Sequence, residues 1–117
     1  MNAQVNDLFT LSEFLIVLID EYRHEVSESI KAMGSFNISK DDFRNESFKM
    51  NVAAFTLGYL GQVKEIADKG DFKTTANFIR FQKHQLEKKA GDERDPLRVA
   101  QDATIRTLTN IINLYLN

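Results

Sequence analysis

Fourteen consecutive residues, Met50 to Val63 (MNVAAFTLGYLGQV), carry no charge in a chain that is 27% charged. A run of this kind must be covered, and its spacing says how. Phe48, Val52, Phe55, Tyr59, Val63 and Ile66 recur at intervals of three and four, which is one face of a helix. The pattern predicts a helix over about 46–69 with that aromatic face in the core and other helices packed around it. The same helix carries a second line, of small residues: Ser47, Ala54, Gly58 and Gly61. The uncharged run falls short of the roughly 20 apolar residues needed to cross a bilayer, and Phe14–Ile19 (FLIVLI) is shorter still.

The remaining segments also read as helices. Thr10 followed by Glu13 forms a capping-box pattern, and Phe9 and Phe14 stand where a hydrophobic staple would put them. A first helix is expected over about 10–33, with Leu11, Leu15, Leu18, Tyr22, Val26, Ile30 and Met33 inward. Residues 34–45 read as the longest connection, with Ser39 and Asp42 able to cap a short turn and Phe36, Ile38 and Phe43 tucked beneath the bundle. Lys69-Gly70 closes the second helix and Asp71 caps a third, over about 72–89, whose inward residues are Phe72, Thr75, Ile79, Gln82, Leu86 and Ala90. Asp95-Pro96 opens a fourth, over about 96–116, with Leu97, Ala100, Thr104, Leu108, Ile111 and Tyr115 inward and Ile105 and Ile112 beside them.

One proline, five glycines and no sustained alternation leave no strand to place. The expected fold is all-α, a single domain over 1–117, with the short links favouring an antiparallel four-helix bundle of up-down-up-down order. An intertwined dimer is the alternative, should residues 34–45 continue the second helix. Gly70-Asp71-Phe72, with Ala76 after it, resembles the turn of a tetratricopeptide repeat. It does not recur at that repeat's spacing, so no repeat array is expected.

Chemistry is sparsely encoded. The absence of cysteine removes disulfides, thiolate metal sites and thiol catalysis, and agrees with a cytoplasmic setting, as does an N-terminus with Asp7 in place of a basic lead. Two histidines with no glycine-rich phosphate loop and no Gly-x-Ser-x-Gly turn assemble no recognisable catalytic set, so an enzyme is not expected and no cofactor is called for. Glu21 and His24 have the i, i+3 spacing of a di-iron bundle ligand pair. That site needs a second such pair and two further glutamates, which the chain does not supply. A metal-binding bundle is therefore the third reading, and an exposed polar flank the plainer one.

Two surfaces are more informative. Residues 72–90 carry Lys73, Arg80, Lys83, Lys88 and Lys89 against Glu87 alone. Lys73, Asn77, Arg80, His84 and Lys88 fall on one stripe with Phe81 beside it, a basic face with an aromatic residue. Residues 1–33 are the reverse, with six acidic residues against Arg23 and Lys31. The net charge of −2 favours an acidic protein surface over nucleic acid as the partner of the basic stripe. The glycines in the middle of the second helix cost about 1 kcal/mol each relative to alanine and need a reason. Either another helix of the chain crosses closely there, or Ala54, Gly58 and Gly61, with the off-face Ile16 and Val17, belong to a subunit interface. The expectation is a small non-enzymatic binding, adaptor or regulatory protein that forms a homodimer and contacts a further protein. Nucleic-acid association through residues 72–90 is the alternative, and no membrane partner is expected.

Overall fold

The computed structural model describes residues 8–89 and 97–116. Four helices carry the chain: α1 (Leu8–Met33), α2 (Lys40–Lys69), α3 (Phe72–Lys89) and α4 (Arg98–Ile111), the last continued by a π-helical turn, Ile112–Leu116. No strand occurs among the described residues.

The third helix begins and ends where the sequence predicts. Its cap is Asp71, whose Oδ1 accepts the Thr74 amide at 2.8 Å. Gly70 closes α2 by donating its amide to the Ile66 carbonyl. The second helix is longer than expected. Ser39 caps it, accepting the Asp42 amide at 3.0 Å, but no isolated turn forms there: α2 runs unbroken for 30 residues, about 45 Å. Asp41 and Asp42 in its first turn suit the positive end of the helix dipole. Helix α1 begins at Leu8, so Thr10 lies inside it and is not its cap. The predicted cap of the fourth helix, Asp95-Pro96, lies outside the described residues, as does Ala90.

The core is built from Leu11, Leu15 and Ile19 of α1, Leu60, Val63 and Ala67 of α2, Ala76, Ile79 and Leu86 of α3, and Leu108 and Ile111 of α4, with Leu116 of the terminal turn. The inward residues of α3 are as predicted, including the buried Thr75 and Gln82. In α4, Ala100, Thr104, Leu108 and Ile111 are inward as expected, joined by Gln101, while Leu97 is half exposed. In α1 the face holds except at Ile30, which is exposed; Ile19 and Ser29 are buried in addition.

Helix α2 departs most from expectation. Its buried stripe is Ala53, Thr56, Leu60, Val63 and Ala67; of the predicted aromatic line Val63 is fully buried as expected, and Phe55 and Tyr59 pack against the core from its edge. Phe48 is half exposed and Val52, Phe55, Tyr59 and Ile66 are partly covered. The stripe is turned by about 80°, close to one residue's rotation. The reason is that α2 packs against α1, α3 and α4 together. Small and β-branched residues occupy the line of closest approach, and the aromatic rings lie over the seams beside it. Phe55 and Tyr59 lean together there, ring centroids 5.3 Å apart. Phe36 and Phe43 do not tuck under the bundle: Phe36 is fully exposed and Phe43 about half so.

Polar and aromatic pairs tie the helices together. Tyr22 of α1 meets Thr107 of α4 at 3.0 Å, and Phe14 stacks on Tyr115 with centroids 4.7 Å apart. Gln82 of α3 donates to Gln62 of α2 at 2.6 Å. On the other flank of α2, Lys64 borders a recess with Ile16, Ile19 and Asp20 of α1. Gln62 and Lys64 are two residues apart, about 200° around a helix. Thus α1 and α3 lie on opposite flanks of α2, with α4 between them.

Candidate interaction surfaces

The basic stripe of α3 is where the sequence puts it. The residues buried from α3 are Thr75, Ala76, Ile79, Gln82 and Leu86, which turns Lys73, Asn77, Arg80, His84 and Lys88 outward, and all five are exposed. Phe81 stands among them, 56% exposed, so among the described residues neither a loop nor a neighbouring helix covers it. Arg80 is partly engaged: its guanidinium donates to the Leu116 carbonyl at 3.2 Å and thereby ties the terminal turn to α3. Lys83 pairs with Glu87 along the helix at 2.8 Å. Among the described residues no acidic side chain pairs with Lys73 or Lys88.

The outer face of α1 is the counterpart. Glu13, Asp20, Glu21, His24 and Glu28 are exposed. Ile16 and Val17 are exposed between them, at 47% and 55%. Asp20 and Arg23 approach at 4.0 Å and Glu28 and Lys31 at 3.4 Å; both pairs are largely solvated and contribute little. No ion pair joins α1 to α3 among the described residues. Glu21 and His24 share this outer face, and among the described residues no three or more His, Cys, Asp or Glu side chains gather as a metal site would require.

Helix α2 supplies the third surface. Gly58 and Gly61 face away from its buried stripe, and Ala54 is exposed beside them. A Cβ placed on either glycine would have nothing within 4 Å. The close crossing by another helix of the same chain, one of the two reasons offered for these glycines, is therefore not present. The line is an open strip of helix backbone.

Sequence reasoning missed a fourth surface. A groove of about 540 Å³ runs between α2 and the start of α4, lined by Phe48, Asn51, Val52, Phe55, Leu97 and Ala100 together with Ala54 of the small-residue line. A neighbouring recess of about 300 Å³ shares Phe48 and Val52 and adds Val99, with Lys49 and Arg106 at its edge. The apolar residues were visible in the sequence, but Phe48 and Leu97 carry the core-face spacing and so read as interior.

Among the described residues, two carboxylates are held below their ordinary pKa values. The Lys49 ammonium, and beyond it the Ser29 hydroxyl, hold Glu46 below the ordinary glutamate value. The Thr74 amide and hydroxyl do the same for Asp71 at the start of α3. The surfaces beside them take part: the Lys73 charge of the α3 stripe also acts on Asp71, and Lys49, at the edge of the recess, pairs with Glu46 at 3.0 Å. No helix among the described residues is long and apolar enough to cross a membrane. No family model, curated protein or solved structure matches the chain.

Proposed function

We propose that this is a small non-enzymatic protein that works through contacts with other proteins, in a binding, adaptor or regulatory role, and that a second copy of itself is one of those contacts. The observation that carries the reading is the large apolar surface left open on separate helices. Ile16 and Val17 on α1, Phe81 on α3 and Phe48, Leu97 and Val99 around the α2–α4 groove are each about half exposed. Grouped exposure of this kind usually marks an interface. A homodimer in a cytoplasmic setting is the form expected, with Ala54, Gly58 and Gly61 available for close approach.

The arrangement we favour is an up-down-up-down bundle closed within one chain. The pairs Phe14–Tyr115 and Tyr22–Thr107 support it, because the α4 partner moves back as the α1 residue moves forward. The short turn between α1 and α2 and their extensive packing favour this over an intertwined dimer, although α2 has the length that an intertwined arrangement would use.

Light scattering over a concentration series tests the reading. A mass above 13.4 kDa at tens of micromolar is expected, and a 13.4 kDa particle throughout would end the self-association claim. A second reading, nucleic-acid association, is favoured by the charge of α3 alone. It would show as binding that weakens steeply with salt.

A further inference from the structure

The outer stripes of α1 and α3 match in register as well as in sign. On α1 the stripe is Glu13, Val17, Glu21, His24 and Glu28, at steps of four, four, three and four. Read backwards, the α3 stripe is Lys88, His84, Arg80, Asn77 and Lys73, with the same steps. Laid antiparallel, the two bring Glu13 to Lys88, Glu21 to Arg80 and Glu28 to Lys73. Each stripe runs over 16 residues, with its ends about 22 Å apart. Val17 then lies within one turn of Phe81, so an apolar contact sits between the charged pairs. All ten stripe residues are described and none is buried.

Within one chain these stripes cannot meet, because α1 and α3 occupy opposite flanks of α2 and both turn the stripes away from the core. We infer that the acidic stripe of α1 docks antiparallel on the basic stripe of α3 in a second copy of the chain. This inference rests on the self-association proposed above and names its surfaces. Opposite flanks make the contact heterologous: a docked pair leaves one α1 stripe and one α3 stripe free. The homodimer is then the first step of assembly, and mass should rise with concentration beyond the pair unless a ring closes. Phe81 and Val17 supply the apolar centre, and the charges fix direction and register, the usual division of labour at an interface.

Charge reversal tests it, using exposed residues outside the buried core. E13K/E28K and K73E/K88E should each lower the association constant about tenfold, since each turns two attractive pairs into repulsive ones. The chain carrying all four changes should recover association, because the charges are then exchanged between the stripes; a merely structural effect would add rather than cancel. Sedimentation at low and high salt reads the mass, and circular dichroism checks that each variant is folded. Wild-type protein at 13.4 kDa at every concentration would overturn this pairing and the self-association reading together. Wild-type association that survives both reversals would overturn the pairing alone and move the interface to Gly58 and Gly61 or to the α2–α4 groove. A wild type that binds a duplex oligonucleotide, with K73E/K88E losing that binding and E13K/E28K leaving self-association intact, would overturn it in favour of nucleic acid.

Discussion

Thr56 and Thr104 face each other across the α2–α4 contact with their hydroxyl oxygens 2.8 Å apart, and neither residue has any exposed surface. The direction of the bond follows from the neighbours. Thr104 gives its only hydroxyl proton to the Ala100 carbonyl, 2.9 Å away, so Thr56 is the donor to Thr104. The same logic applies to Tyr22, which donates to a Thr107 hydroxyl already bonded to the Ala103 carbonyl. Two hydroxyl links thus connect α4 to α2 and to α1.

Replacing either member of the buried pair should be felt, and replacing both should be felt less than twice. Thr56→Val and Thr104→Val are each expected to lower stability by about 1 kcal/mol, because a buried hydroxyl loses its partner. The double variant removes both polar groups at nearly constant volume and should lie well short of the sum. Denaturant melts of the four proteins measure the coupling. Simple additivity would mean that the hydroxyls do not interact in solution.

The rotated packing of α2 has its own test. Leu60 is fully buried, whereas Phe48 is 50% exposed. Leu60→Ala should cost about 2–5 kcal/mol, the range for truncating a core leucine, and Phe48→Ala less than about 1.5 kcal/mol despite the larger side chain removed. The order would invert if the aromatic line were the core face. Urea denaturation with a common slope for both variants decides it.

Asp71 should make stability depend on pH. Its carboxylate accepts the Thr74 amide at the start of α3, so its folded pKa lies below the ordinary aspartate value of about 3.9. A depressed folded value means that the unfolded chain takes up the proton first as pH falls. The contribution is complete above the ordinary aspartate range and is lost as pH falls through that range to the lower folded value. Asp71→Asn keeps an acceptor but cannot titrate. The stability difference between wild type and Asp71→Asn, followed from neutral to acid pH, should move against the wild type only in that acid window.

What the sequence disclosed obeyed local rules. The 3.6-residue period, Asp71 and Gly70 located α3, and the charges of α1 and α3 were on their correct outer faces because those helices each have one inward side. The rule failed for α2, which has neighbours on three sides. Hydrophobicity alone cannot say which of Phe48, Thr56 and Leu60 sits at the closest approach, because that depends on where α1, α3 and α4 lie. The start of α2 was hidden by a polar stretch, Lys40–Asn45, that has no inward periodicity and is mostly exposed in the structure. The α2–α4 groove was illegible for the same reason as the α2 register: its wall is made of residues with core spacing.

The two glycines of α2 give the sharpest separation of fold from interface. Nothing within 4 Å would meet a methyl group at position 58 or 61, so the isolated subunit gains from alanine at either place. The gain should be about 0.4–1 kcal/mol per site, from helix propensity and a less flexible unfolded chain. If the open strip is solvent-facing in solution, Gly58→Ala and Gly61→Ala will raise the melting temperature and leave the mass distribution unchanged. If the strip receives another backbone, the same variants will still stabilise the subunit at high dilution, yet association will weaken, and Gly58→Leu will abolish it. Thermal melts at two concentrations, paired with sedimentation, read both quantities from the same samples. A loss of stability at high dilution would contradict the open environment that the structure gives these glycines.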